Sequence, residues 1–530
     1  MTWFSLPAVS TERPPAFTDM ASCTEWLASQ PLANAPLMQG VFADQLERLN
    51  AWALPARERF KVLETLRKAV FAIENDSVKR YEYRPLPLSP TEQKSLTASC
   101  HNWHGMAVGY LICLHACLAR DEGLLAHSAK IAHRALTSLR LEQMARYRGG
   151  SAVPADFWYQ LHAVLASAEQ LAVTDIVVSD RLFAETREST LAAQYANAVL
   201  LHLCRPHELS RSQLTATQRW LARWRELAKI QSSIEGAHHS RSVLIDLRSD
   251  LPVHTTPPEA VCPRWIALDG VLGKMKSRLK SLRDGQTPEE LKLGSSLPAE
   301  ACIGLLQFLH GCLQTPSSNL LQASEHSREQ GVSCTLDGIY QLLGGKPVNR
   351  EEETHALSNR QIHDQIAIFG RAASARDEQR ATTRIEHWQV LGENGSELTL
   401  LRRPANPDER LGNRSLIGLV NPGDATNISL AIVRSLCALD DGALYIIARR
   451  LPGSPQAHLA TGREKTTNRV VRHAAIFLPA AGQIDKPATL FIAAGCMSKL
   501  TRLDVAGLPQ GLKPDSIIDQ GANYERLRCS

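Results

Sequence analysis

Apolar residues recur every three and four positions from about residue 41, in VFADQLERLNAWAL and again in ARERFKVLETLRKAVFAIENDSVKRY, and that spacing predicts amphipathic helices. The first twenty residues read differently: Pro14 and Pro15 block an early helix and leave an extended arm. PLPLSPTEQ (85–93) interrupts the helical run. Ser89 or Thr91 can cap the next helix, with Pro90 near its first turn, over roughly 91–120. Further helices are expected at about 124–146, stopping near Gly149 and Gly150, and over 157–172, 189–203 and 215–230. Such a series predicts an all-α N-terminal bundle, or a solenoid of helix pairs. No crisp repeat of about 34 residues supports more than an analogy to tetratricopeptide arrays.

The pattern shifts near 231–262, where Val243 to Leu247 form a strand-like run before the Pro-rich turn TTPPEAVCP. Helices resume at 266–285 and 299–314, and Gly344, Gly345 and Pro347 punctuate a boundary. A charged segment rich in Gln and Arg follows. From about 385 the period drops towards two. EHWQVLGE, ELTLLRR, SLIGLVN, ISLAIVRSL, ALYIIARRL, AAIFLPA and ATLFIAAGC are strand candidates. Turn chemistry joins them at Glu393-Asn394-Gly395, Asn406-Pro407-Asp408, Asn421-Pro422-Gly423-Asp424 and Asp440-Asp441-Gly442. Seven short strands with little helix between them predict a small C-terminal antiparallel β-barrel. The expected chain is therefore multidomain: a helical domain (1–235), a second helical segment with a short strand (236–350), a charged helix or linker (351–384) and the barrel (385–530).

Composition narrows the classes. The 530 residues are 44% hydrophobic and 21% charged, ordinary for a globular chain long enough for several cores. A net charge of +5, from 59 basic and 54 acidic residues, does not argue for a nucleic-acid-binding surface. The 12 cysteines form no dense framework, and several lie in apolar helical runs, which fits a reducing compartment. With no signal-peptide pattern and no apolar run of about 18 residues, a cytoplasmic location without membrane partners is expected.

Catalytic and metal patterns are sparse. The sequence has no Walker A loop, H-E-x-x-H or G-x-S-x-G, and the expectation is a non-enzymatic protein with no catalytic residues and no cofactor. Cys100, His101 and His104, and Cys113, His115 and Cys117, offer metal-ligating atoms at helical spacing, but core cysteine is the better reading and no metal is expected. His238 and His239 read as loop. In the strand that begins Glu386-His387-Trp388, alternation puts Glu386 and Trp388 on one face. Trp220 and Trp224, one turn apart, read as anchors between helices or, alternatively, as a partner groove.

Three features carry a family resemblance. Arg380-Ala-Thr-Thr-Arg384 forms an RxxxR motif just before the first predicted strand. A strand bearing Leu398 and Leu400 leads to Leu411-Gly412 and then to Leu416, Ile417 and Leu419. Leu430-Ala-Ile-Val-Arg434 and Ala443-Leu-Tyr-Ile-Ile447 resemble paired closing strands. Over about 150 residues this resembles the PilZ domain, the bacterial barrel that binds cyclic di-GMP. The resemblance implies that Arg380 and Arg384 contact the ligand, arginine being suited to bidentate phosphate bonding and to stacking on a base.

Two registers are open for the family's second motif, [D/N]xSxxG. Asn413-Arg-Ser415-Leu-Ile-Gly418 matches strictly. Gly392-Glu-Asn394-Gly-Ser396-Glu397 fits the downstream strands better, with its amide, serine and glycine displaced, and is the preferred register. The barrel is then PilZ-like in fold but degenerate in signature. The ligand-binding candidates are Arg380, Arg384, Asn394, Ser396, Asn413 and Ser415. The near-helical spacing of Arg371, Arg376, Arg380 and Arg384 also describes a solvated helix face.

The functional expectation is a cyclic di-GMP-responsive regulatory protein, with the barrel as sensor and the helical body as effector towards an unidentified protein partner. The alternative is a helical scaffold or adaptor whose barrel no longer binds nucleotide.

Overall fold

A computed structural model describes residues 4, 6–183, 187–233, 241–254, 260–315, 328–348, 385–404, 410–421, 424–480, 487–509 and 512–530. The expected charged helix or linker at 351–384, with Arg380 and Arg384, lies outside the described residues, as do His238 and His239. The chain divides into two compact units, Met1–Arg84 with Leu88–Leu321, and Pro85–Pro87 with Gln322–Ser530.

The first unit is helical: α1 (Met20–Ser29), α2 (Ala35–Ala51), α3 (Ala56–Ser77), α4 (Pro90–Leu118), α5 (Glu122–Leu125), α6 (Ser128–Arg148), α7 (Ala155–Gln170), α8 (Leu191–Leu203), α9 (Arg211–Trp224), α10 (Asp269–Arg283) and α11 (Ala299–Gln314). Short strands interrupt it: β1 (Val178–Ser179) with β2 (Glu188–Ser189), and β3 (Ile230–Gln231), β4 (Ser242–Asp246) and β5 (Pro263–Ala267) in a three-stranded sheet ordered β3-β5-β4.

The cap chemistry explains the helix starts. Ser89 closes a capping box with Glu92 ahead of α4, its backbone N–H donating to the Glu92 carboxylate at 2.8 Å. α1 begins at Met20, where the expected extended arm ends, and its start is set by Asp19, which accepts from the backbone N–H groups of Ala21 and Ser22. The helix expected over 215–230 begins earlier, because Ser210 and Gln213 form a capping box, and ends at Trp224.

Apolar faces of these helices make the core. Trp220 is fully buried, stacks on Trp224 at 6.1 Å and donates its indole N–H to the Leu293 carbonyl at 2.8 Å, which satisfies its one polar atom. The anchor reading holds for Trp220. Cys113 and Cys117 are buried beside the carbonyls of Ala56 and Leu124, and burial pushes their thiols up to about 12 and about 11. They pack as core cysteines.

The second unit is almost wholly antiparallel sheet. Its strands are β6 (Arg328–Ser333), β7 (Glu386–Asn394), β8 (Glu397–Arg402), β9 (Leu416–Asn421), β10 (Asp424–Ala438), β11 (Leu444–Arg450), β12 (Gln456–Glu464), β13 (Val470–Leu478), β14 (Thr489–Ala493), β15 (Leu500–Val505), β16 (Pro514–Gln520) and β17 (Tyr524–Cys529). Helix α12 (Leu336–Leu342) follows β6, and the single turn α13 (Cys496–Lys499) precedes β15. Six strands close a barrel in the order β10-β11-β8-β7-β6-β9. The other six form a separate sheet in the order β15-β12-β13-β14-β17-β16.

The antiparallel barrel expected from the period-two pattern is present, with different membership. AAIFLPA and ATLFIAAGC lie in β13 and β14, outside the barrel. The sixth barrel strand, β6, comes from upstream, in REQGVS, where the alternation is too weak to read. α12 lies where barrel and sheet meet: Leu336, Ile339 and Tyr340 share one core with Leu416 and Leu430 of the barrel and with Ile476, Phe491 and Tyr524 of the second sheet. Gly418 in β9 permits this, since a Cβ there would stand 2.9 Å from an Ile339 side-chain carbon.

A pH dependence follows for the helical unit. His162 is buried, with Nε2 2.9 Å from the Leu251 carbonyl and Nδ1 2.6 Å from the Tyr195 hydroxyl. A carbonyl only accepts, so Nε2 carries the proton and Nδ1 accepts from Tyr195. Burial pushes the His162 pKa down to about 4. The unfolded chain takes up this proton below its ordinary value of 6.5 while the folded chain does not, so the stability of the neutral ring is present above 6.5 and is lost as pH falls towards 4. We expect urea midpoints to fall between pH 6.5 and 4, and His162→Gln to lower the midpoint at pH 7 while flattening that slope.

Candidate functional site

The barrel has two ends, and the strand register assigns each candidate among the described residues to one of them. Val332 of β6 pairs with Glu386 of β7 and with Leu419 of β9, and Ser333 pairs with Gly418. The start of β7, the end of β6 and the start of β9 therefore share one rim. Ile385, next in sequence after Arg384, lies there. Asn413 and Ser415, immediately before β9, are on the same rim. Asn394 and Ser396 belong to the β7–β8 turn, where Asn394 pairs with Glu397. At roughly 3.3 Å per residue, nine-residue β7 puts about 26 Å between that turn and the rim. The structure brings Asn413 together with Ser415, and Asn394 with Ser396, and keeps the two pairs at opposite ends.

The two turns differ in chemistry. In the β7–β8 hairpin, Gly395 takes a positive φ of 56° between Asn394 and Ser396, and all three are exposed. Ion pairs surround it: Arg450 with Glu393 at 2.6 Å, Arg328 with the same carboxylate at 3.0 Å, and Arg434 with Glu397. Its nearby cations are thus already matched by carboxylates.

The turn before β9 is built on its own backbone. The Ser415 hydroxyl donates to the Gly412 carbonyl at 2.8 Å and is buried. The Asn413 side-chain oxygen accepts from the Arg414 N–H at 3.0 Å. Arg414 takes a positive φ of 61°, its N–H bonds the Val433 carbonyl, and its guanidinium pairs with Asp519. Asn523 then bridges the start of β9, accepting from the Leu416 N–H at 2.8 Å and donating to the Leu416 carbonyl at 2.9 Å. The turn holds Asn413, half-buried, in a fixed place on the rim.

Beneath this rim lies a buried ion pair. Arg402, at the end of β8, donates two parallel hydrogen bonds to Glu386 at 2.7 and 2.8 Å, and Trp388 donates its indole N–H to the same carboxylate at 2.8 Å. The guanidinium carbon lies 5.5 Å from the Trp388 ring centre. Alternation correctly put Glu386 and Trp388 on one face; the partner, Arg402, carried no signal in the sequence beyond its place at a strand end. His387, between them, points the other way and is exposed.

Other candidate chemistry lies in the helical unit. His104 approaches Glu142 at 3.2 Å, and that hydrogen bond raises its pKa above the ordinary value. Cys100 beside it is buried, its thiol pushed up to about 12. Among the described residues, no group of three or more His, Cys, Asp and Glu side chains is placed to hold a metal ion. Among the same residues, no helix is long and apolar enough to cross a membrane.

Fold and rim together define a helical body joined to a unit that contains a closed antiparallel barrel with a polar, Asn- and Ser-bearing rim. Residues 21–235 match a family model described as the N-terminal domain of the cyclic-di-GMP receptor FimW. This match falls on the helical unit, and so corrects the expectation that family kinship would show in the C-terminal third. No curated protein and no solved structure matches the chain.

The Arg402 pair generates a stability prediction. Glu386→Ala leaves a buried guanidinium without its carboxylate, and should cost about 3 kcal/mol in urea denaturation. Glu386→Gln, which keeps an acceptor for Trp388, should cost less.

Proposed function

We propose that this chain is a cyclic di-GMP-responsive regulatory protein whose barrel rim binds the ligand. The observation that carries the reading is the coincidence of two independent features. The helical region is similar to the N-terminal domain of a cyclic-di-GMP receptor. In sequence, Arg380-x-x-x-Arg384 directly precedes Ile385, which lies at the rim where Asn413 and Ser415 stand. In this reading Arg380 and Arg384 bond the phosphates and stack on a base, and Asn413 offers its amide to a guanine edge. Ser415 holds the turn through Gly412.

Strand register favours the strict Asn413 motif over the Asn394 one, because Asn394 and Ser396 lie at the far end of β7. The sequence preference for the Asn394 register rested on strand spacing alone, which does not say which end of a strand a turn occupies.

Calorimetry with cyclic di-GMP tests the proposal. The wild type should bind. Arg380→Ala/Arg384→Ala and Asn413→Ala should each weaken binding at this rim, the amide by about tenfold if one hydrogen bond is worth about 1.4 kcal/mol. Asn394→Ala/Ser396→Ala should leave binding unchanged. A wild type with no heat of binding at any concentration tested would instead support the scaffold reading.

A further inference from the structure

The two β-assemblies of the second unit share one connectivity. In the barrel the first strand pairs with the second and fourth, the second with the third, the third with the sixth, and the sixth with the fifth. Taking β12 to β17 as first to sixth, the second sheet makes those same pairings. They differ at one seam: the fourth and fifth strands pair in the barrel, as β9 with β10, and do not pair in the sheet, where β15 and β16 are its two edges.

Local details repeat as well. In Gly412-Asn-Arg-Ser415, ahead of the barrel's fourth strand, the serine hydroxyl donates to the glycine carbonyl at 2.8 Å. In Gly495-Cys-Met-Ser498, ahead of the sheet's fourth strand, the serine hydroxyl again donates to the glycine carbonyl at 2.8 Å. Arg380-Ala-Thr-Thr-Arg384 precedes the barrel's second strand, and Lys465-Thr-Thr-Asn-Arg469 precedes the sheet's second strand. Chain order, hydrogen bond and basic pentapeptide all fall at matching places.

The second copy gathers cations at this rim. Arg463 is paired across the sheet with Val470 on one side and Arg502 on the other, so Arg463 and Arg502 share a face. Thr461 pairs with Arg472 two residues further along the same face. The Lys465 backbone bonds the Lys499 carbonyl at 2.8 Å, and its ammonium reaches the Ser498 carbonyl at 2.9 Å. Arg463, Lys465, Arg469, Arg472, Lys499 and Arg502 are all exposed. Asp504, bonded to Arg502 at 3.0 Å, and Glu464, which accepts from Thr467, are the carboxylates among them. Six cations against two carboxylates leave this rim with an excess of positive charge, which favours an anionic ligand.

We propose that the rim formed by Lys465–Arg469 and Ser498–Lys499 is a second site for a phosphodiester ligand, of the same class as the ligand of the barrel rim; this rests on the reading of that rim given above. Cys496 stands where the barrel has Asn413. The second site therefore keeps the phosphate-binding cations and lacks the amide that would read a base, so it is the weaker of the two.

The test is calorimetry of the full chain with cyclic di-GMP on four proteins: the wild type, Arg380→Ala/Arg384→Ala, Lys465→Gln/Arg469→Gln, and the combination of all four changes. Two classes of site are expected in the wild type, the weaker lost with Lys465→Gln/Arg469→Gln, the tighter with Arg380→Ala/Arg384→Ala, and both in the combination. Lys465 and Arg469 are exposed, so unchanged melting temperatures should show that these variants fold. Loss of all binding in Arg380→Ala/Arg384→Ala alone overturns the second site and leaves the first reading standing. Binding that depends only on Lys465 and Arg469 overturns the first reading and keeps the second site. No binding to the wild type overturns both.

Discussion

The second unit depends on a close approach between α12 and β9. Ile339 packs over Gly418, and only the absent Cβ lets the helix come that near. Through this contact one apolar cluster runs from the barrel, by way of Leu336, Ile339 and Tyr340, to Ile476, Phe491 and Tyr524 of the second sheet. Two six-stranded assemblies thereby share a core, which gives each more buried apolar surface than it has alone. The same packing fixes β9, and β9 positions the turn that carries Asn413 and Ser415. A glycine inside the candidate motif can thus answer to packing.

Helices were the more legible part of the sequence. Period 3.6, the Ser89 cap and the flanking prolines located α4, α7, α8 and α11 closely, because helix signals are local. Strands with clean alternation, such as those bearing Trp388, Leu398 and Ile446, were equally readable. What stayed hidden was pairing. REQGVS has little apolar alternation, yet β6 closes the barrel because its neighbours are β7 and β9, brought in from far along the chain. Likewise β15 and β16 are half-polar edge strands and β12 and β17 their polar-bearing neighbours, and the membership of all four in a second sheet is a non-local fact.

The candidate site was legible in kind more than in place. RxxxR, asparagine and serine were read from the chain as phosphate- and base-directed groups. Which end of a strand the asparagines and serines occupy follows from register, and spacing cannot supply that. The buried Arg402–Glu386 pair with its Trp388 neighbour illustrates the same limit: alternation showed two members on one face, and the third arrived across the sheet.

Among the described residues the seam between β15 and β16 is unpaired, and rows of backbone donors and acceptors at such a seam can pair with an extended peptide, including another molecule of this protein. The flanking residues counter that hazard. β16 shifts register between Pro514 and Ile517 and again between Ile517 and Asp519, and its surface carries Asp515 and Asp519; β15 presents Arg502 and Asp504. A strand so kinked and charged makes a poor template for end-on growth, even with Ile517 and Ile518 at the surface. Resistance to stray pairing at this margin is thus written into the kinks of one strand and the charges of both.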